Sequence, residues 1–311
     1  MISEELKNDL KIKWDRMRDG MAKMGMDACL LTVDVNLYYT TGQIYSGYFY
    51  LPVDGEPWFL IKRPNGLSGH QVEYIRKPED IPTLFAERGI KMPKRLLLEA
   101  DELTYNEYIR LQKVFQPEEA GNATAFMRNL RRVKTPWEIG QFRIAARKHE
   151  ATYSEIPECF RPGMTDLEFQ YEIEKRMRKN GSIGLFRAFG ANMDIFMGSI
   201  LAGENAEVPS PFDFALGGSG IDASCPLGAN GTPLKEGTAI MVDMAGNYTA
   251  YMTDMTRVFS VGHLTELAYR AHQTALLIES EIENIARPGT PCAELYEIAA
   301  KITESQRLGE Y

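Results

Sequence analysis

The chain has 311 residues, enough for two domains of ordinary size. Hydrophobic residues make up 44% and charged residues 25%, as in ordinary globular proteins, and the net charge of −8 argues against a nucleic-acid-binding surface. Four cysteines, Cys29, Cys159, Cys225 and Cys292, form neither a C-x-x-C pair nor a zinc spacing, and read as reduced core thiols of a cytoplasmic protein.

The N-terminus, Met1-Ile-Ser-Glu-Glu-Leu-Lys-Asn-Asp9, lacks the apolar run of a signal peptide, and no stretch is apolar for long enough to cross a membrane. Ser3 is placed to cap a first helix. Leu6, Leu10, Trp14, Met17, Met21 and Met24 follow at steps of three and four, and Gly25 ends it. Ala28–Val33 reads as a buried strand. Gly47–Val53 and Trp58–Lys62 flank Asp54-Gly55 as a hairpin, and Arg95–Glu99 is another strand. Helices are predicted over 67–76, 80–89 and 104–114. Strands alternating with helices make this an α/β domain. The pattern breaks across Gln116–Asn129, so the domains are drawn as 1–126 and 127–311.

Beyond the break, Pro136 opens a helix with Ile139, Phe142, Ala145 and Ala146 as its predicted buried stripe. Arg161-Pro-Gly163 ends it. Thr165-Asp-Leu-Glu168 is a capping box opening the next helix, with Phe169, Ile173 and Met177 in its apolar row. Leu185–Phe189 and Ser199–Ala202 read as strands. Gly217-Gly-Ser-Gly220 lacks the strand-before, helix-after context of a phosphate loop and reads as a flexible connection. Thr265 starts a helix ended by Arg287-Pro-Gly289, and Thr290-Pro291 starts another. Helix, Arg-Pro-Gly and capped helix thus occur twice, 126 residues apart (287 − 161), which suggests two pseudo-symmetric α/β halves. His70, His149, His263 and His272 make no H-x-x-x-H pair, so each reads as an ordinary surface or core histidine.

The segment Thr238–Gly262 carries the chemistry. Ala239–Met244 and Tyr251–Val261 read as two strands around a turn containing Gly246-Asn247. Each strand holds one aspartate, Asp243 and Asp254, 11 residues apart (254 − 243). A short even-length loop would set them directly opposite each other, with Cβ atoms about 4.5–5.5 Å apart. Two carboxylates so placed resist ionising together unless a cation lies between them. Oxygen donors suit hard divalent ions. The plain alternative is a surface hairpin with both aspartates in solvent.

The longer pattern of Asp243, Tyr251, Asp254-Met-Thr256-Arg257 and Phe259-Ser-Val-Gly262 resembles the metal-binding hairpin of peptidase family M24. That family contains creatinase, Xaa-Pro aminopeptidases and Xaa-Pro dipeptidases. Two further segments agree. Asn36-Leu-Tyr-Tyr-Thr-Thr-Gly42 resembles the N-Y-T-G segment of a creatinase-type N-terminal domain. Leu130-Arg-Arg-Val-Lys-Thr-Pro-Trp-Glu-Ile139 resembles the family's L-R-x-x-K-x-x-x-E-I start of the catalytic domain. Tyr38, Tyr39 and Tyr45 are candidates to wall a site, with core aromatics the simpler reading.

The resemblance implies an RNase H-like N-terminal domain followed by a pita-bread domain lacking the last strands of its second half. It implies a dinuclear-metal peptidase acting on the N-terminal bond of short peptides, and a homodimer. Asp243 and Asp254 would be two of five ligands for two divalent ions (Mn, Co, Zn or Fe), with Thr256 supporting them from Asp254's face. The remaining ligands, a histidine and two glutamates, would lie beyond Tyr311, so the 311-residue chain alone is expected to hold metal weakly and not to hydrolyse peptides. Cys225-Pro-Leu-Gly-Ala229 stands where these peptidases usually carry a substrate-binding histidine, which argues against proline-directed cleavage. Two other readings are a non-catalytic peptide- or protein-binding relative and a creatinase-like hydrolase or lyase of a small non-peptide substrate.

Overall fold

Ser3 accepts a hydrogen bond from the Leu6 amide (3.2 Å) and so caps α1 (Glu4–Lys23), and Gly25 follows its end with φ 68°. This computed structural model describes residues 3–186, 196–211 and 217–309. The chain forms two compact units, Met1–Gly140 and Gln141–Tyr311.

In the first unit, β1 (Ala28–Leu31) leads into α2 (Asp34–Thr41), then β2 (Ser46–Pro52), β3 (Trp58–Arg63) and β4 (Val72–Tyr74). Then come α3 (Ile81–Glu87), β5 (Arg95–Leu98), α4 (Tyr105–Phe115), β6 (Glu119–Asn122) and α5 (Thr124–Arg132). One mixed sheet runs β4-β3-β2-β1-β5-β6. The β1–β2 and β2–β3 pairs are antiparallel; the β3–β4, β1–β5 and β5–β6 pairs are parallel. Apolar side chains cover both faces, with Met17, Met21, Leu37, Tyr39 and Phe49 on one and Tyr50, Leu60, Phe85 and Phe115 on the other. Tyr39 and Tyr45 are thus core residues.

Two expectations fail here. The helix expected over 67–76 is absent. Val72, Glu73 and Tyr74 pair instead with Phe59, Leu60 and Ile61, because the open edge of β3 offers backbone partners that an isolated segment lacks. The expected break at Gln116–Asn129 contains β6 and most of α5, and 126/127 falls inside α5, whose Met127 lies in the first core beside Ala123.

The helix α6 (Pro136–Ser154) begins with a capping box. The Thr135 amide donates to Glu138 Oε2 (2.8 Å) and the Glu138 amide to Thr135 Oγ1 (3.2 Å). Its buried face differs from the expected stripe. Ile139 and Ala146 are exposed, whereas Ala145, His149, Thr152 and Tyr153 are buried. That face carries polar residues because it meets hydrogen-bonding groups of the hairpin, side chains for His149 and Thr152 and backbone for Tyr153.

In the second unit, α7 (Asp166–Lys179) starts at the expected capping box of Thr165 and Glu168. Then come β7 (Gly198–Ala202), β8 (Ala239–Gly246), β9 (Thr253–Ser260), α8 (Glu266–Ile285) and α9 (Cys292–Ser305). The sheet is antiparallel, in the order β7-β8-β9. The strand expected over Leu185–Phe189 runs into residues outside the described ones. Around the second Arg-Pro-Gly the cap also differs. Thr290 Oγ1 accepts from the Arg287 amide and donates to Ile285 O, closing the end of α8 rather than opening α9. Cys29 and Cys159 are buried, but Cys225 is half-buried and Cys292 exposed, so only two of the thiols belong to the core. Among the described residues no helix is long and apolar enough to cross a membrane.

Candidate metal site on the aspartate hairpin

Register decides what the two aspartates can do. Asp243 pairs with Thr256, and Asp254 pairs with Ala245. The carboxylates are therefore diagonal neighbours on one face, not the directly opposed pair expected from their spacing. The six residues 247–252 between the strands set this offset. Diagonal neighbours still lie within side-chain reach of each other.

Thr256 stands between them on the same face and donates its hydroxyl to Asp243 Oδ1 at 2.6 Å. Partial burial pushes the Asp243 carboxyl above the ordinary carboxylate range; Thr256 opposes that shift, and the Asp254 carboxylate adds to it by charge and by hydrogen bonding. A half-buried acid beside a second acid is a pair short of positive charge. Arg257 points to the other face, is exposed, and donates to the Thr256 carbonyl at 2.7 Å.

The helix-facing side of the hairpin is held by three residues of α6 spaced three and four apart. His149 Nδ1 lies 3.0 Å from Thr253 Oγ1. Thr152 Oγ1 accepts the Tyr248 hydroxyl at 2.6 Å. The Tyr153 hydroxyl accepts the Met244 amide at 3.0 Å and meets the carbonyls of Val242 (3.1 Å) and Met255. Gly246 is required opposite His149, since a Cβ there would collide with the imidazole and with Thr253 Oγ1. His149 is fully buried, and burial lowers its pKa to about 4, so it is neutral at pH 7. His149 is a core histidine, one of the two readings its sequence allows, whereas sequence reasoning passed over Thr152 and Tyr153. Their signal was a helix with polar residues at the spacing of its buried face.

The loop before the hairpin is tightly bonded, contrary to the flexible connection expected at Gly217–Gly220. The Asn205 side chain accepts from the Ser219 amide (2.8 Å) and donates to Gly228 O (3.0 Å). The buried Asp166 carboxylate accepts the amides of Asn230 (3.2 Å) and Gly231 (2.8 Å). Leu227 and Ala229 are buried in this loop, and Cys225 is half-buried.

The donors fit a hard cation as two oxygen ligands, because the carboxylates share one face of the hairpin and a divalent ion would offset both the burial of the Asp243 charge and its repulsion by Asp254. Among the described residues, no group of three or more His, Cys, Asp or Glu side chains is arranged to hold a metal.

Known proteins place the chain. The sequence pattern of metallopeptidase family M24 matches residues 140–311, and that of the creatinase/prolidase N-terminal domain matches residues 13–133. An uncharacterized peptidase of Staphylococcus aureus (strain USA300) is 24% identical over 319 residues, covering 96% of this chain and 80% of the relative. The fold is similar to that of an Xaa-Pro dipeptidase from Bacillus anthracis (TM-score 0.77, 20% identity, 97% of this chain and 79% of that one). It is also similar to an X-Pro aminopeptidase from Thermotoga maritima (TM-score 0.75, 18% identity, 94% and 79%). The mixed α/β architecture expected from the hairpin and the N-terminal segment is thus the one found, and, with the M24 pattern spanning more than half of its length, the chain belongs to metallopeptidase family M24.

Proposed function

We propose that the chain carries the metal hairpin of a peptidase of the Xaa-Pro dipeptidase or aminopeptidase type, whose reaction is hydrolysis of the N-terminal bond of short peptides, with the two carboxylates alone too few to support turnover. The observation that carries this reading is the like-charged pair Asp243 and Asp254 on one face of β8–β9, with Thr256 bonded to Asp243. Structural acids are ordinarily neutralised by a cation or several donors; among the described residues Asp243 has one hydroxyl donor and the Asp254 carboxylate beside it.

Asp243 and Asp254 would hold two divalent ions, Asp254 from the more exposed position. When bound, such ions polarise the scissile carbonyl and make water a stronger nucleophile at neutral pH. The chain's own groups orient the ligands. Thr256 fixes one oxygen of Asp243 and leaves the other free, and α6 holds the hairpin from behind through His149, Thr152 and Tyr153. A homodimer, a cytoplasmic setting and a divalent ion such as manganese, cobalt, zinc or iron form part of the same proposal.

Calorimetric titration of the chain with Mn²⁺ and Co²⁺, alongside an assay on Xaa-Pro dipeptides, tests the reading. Binding by the wild type, lost in Asp254→Asn, is expected. Equal binding by both proteins would remove the pair as the site. The buried Leu227, in the loop where the resemblance expects a substrate-binding histidine, favours a second reading in which the substrate is not a proline peptide. Turnover of a small guanidino compound such as creatine, with none of Xaa-Pro dipeptides, would establish it.

A further inference from the structure

The Tyr153 hydroxyl occupies an unusual place. Ala245 donates its amide to Met197 O (2.9 Å), on the β7 side of β8. Backbone groups alternate in direction along a strand, so the Met244 amide points the other way, toward β9. It finds the Tyr153 hydroxyl at 3.0 Å, and that hydroxyl also meets Met255 O, the carbonyl of Met244's register partner. The single phenolic proton serves Met255 O or Val242 O, the latter at 3.1 Å. The ring itself is buried, edge-on to His149 at 5.0 Å between centroids.

The Met244–Met255 pair lies between the Asp243–Thr256 pair and the Ala245–Asp254 pair. The phenol therefore reaches the ladder at the one step that separates the two aspartates. We propose that Tyr153 is a positioning residue: its hydroxyl, set in the β8–β9 ladder, fixes the strand opening there and with it the separation of the Asp243 and Asp254 carboxylates. This inference rests on the reading of those aspartates as a ligand pair. A hydroxyl shared between an amide and a carbonyl competes with their direct bond. Without it, the strands draw together and rotate the carboxylates on the opposite face.

The test uses the 311-residue chain, with Co²⁺ as probe, in wild type, Tyr153→Phe and a protein with p-aminophenylalanine in place of Tyr153. Calorimetry gives the Co²⁺ affinity and visible absorption gives its coordination. NMR gives the Met244 nitrogen to Met255 carbonyl coupling across the hydrogen bond and the distances between residues 243, 254 and 256. Tyr153→Phe should weaken Co²⁺ by about tenfold, shift the absorption band and strengthen the Met244–Met255 coupling, while p-aminophenylalanine, which again bonds both strands, should recover most of the affinity. Wild-type affinity and band in Tyr153→Phe would overturn the inference.

If neither protein binds Co²⁺, the metal reading fails by itself and the NMR arm decides. A changed 243–254 distance in Tyr153→Phe sustains the positioning role, and an unchanged one ends it. If Tyr153→Phe does not fold, p-aminophenylalanine carries the test. Its longer bonds should move the Co²⁺ band or, without Co²⁺ binding, the 243–254 distance; the wild-type value in whichever is measured overturns the proposal.

Discussion

Two carboxylates, Glu99 of the first unit and Asp243 of the second, are held in opposite ways, whereas the buried Asp166 of the second unit is ringed by backbone amides as Glu99 is. In the first, Glu99 sits fully buried at the end of β5. It accepts the amides of Thr32 (2.6 Å) and Val33 (2.9 Å) at the start of α2 and the Asn36 side chain at 2.6 Å, and Arg131 bonds Asn36 from the far side. Lys13 is likewise enclosed between Asp9 (2.7 Å) and Glu138 (3.4 Å), over the rings of Tyr39 and Trp137. In the second unit, Asp243 has one hydroxyl donor and another carboxylate. Burial raises the pKa of both Glu99 and Asp243, so the shift alone does not separate them. The partners do: a structural acid is surrounded by donors, whereas Asp243 is left facing a like charge.

The largest expected effect tests the structural side of that contrast. Lys13→Met leaves Asp9 and Glu138 buried without their cation and should cost about 3–5 kcal/mol in urea unfolding. A loss below about 1 kcal/mol would mean that the cluster is not a structural lock. The Co²⁺ affinity of the aspartate hairpin should stay at the wild-type value.

The next concerns pH. The His149 pKa falls from 6.5 to about 4 on folding, so the folded state binds fewer protons than the unfolded state between those values. Stability should therefore fall as pH drops from 6.5 toward 4, by at most about 3 kcal/mol, and His149→Gln should flatten that dependence. Asp243 works in the opposite direction. Its raised pKa imposes no cost below the unfolded value of 3.8 and a growing cost as pH rises through the folded value, which a divalent ion should remove. Thermal unfolding across pH, with and without Mn²⁺, measures both slopes.

Smaller effects sharpen the same division. Thr256→Val should weaken Co²⁺ binding by about tenfold with little change in melting temperature, while Thr256→Ser should retain it. Thr165→Ala removes the cap of α7 and should cost about 1 kcal/mol, read by chemical unfolding, with metal affinity unchanged.

Much of this was legible in the chain itself. Ser3, Thr165 and Gly25 announce helix ends because capping is local chemistry. The apolar run of Ala239–Met244 and the alternation within Tyr251–Val261 announce the two strands. The residue types of Asp243, Asp254 and Thr256 mark the face proposed to hold metal. Elsewhere local pattern misled. Residues 67–76 join a sheet edge, and the stripe assigned to α6 missed its buried polar face, because both depend on what lies alongside.

The sequence by itself determined the α/β class, most helix ends, the family and the identity of the two acids, since each follows from local periodicity or from a motif of contiguous residues. Only the tertiary structure decided that Asp243 and Asp254 are diagonal rather than opposed, and that Thr256 bonds Asp243. The tertiary structure alone also brought His149, Thr152 and Tyr153 behind the hairpin from about a hundred residues away. Register depends on where two strands stop and how a helix packs on them, and those forces act between residues far apart in the chain.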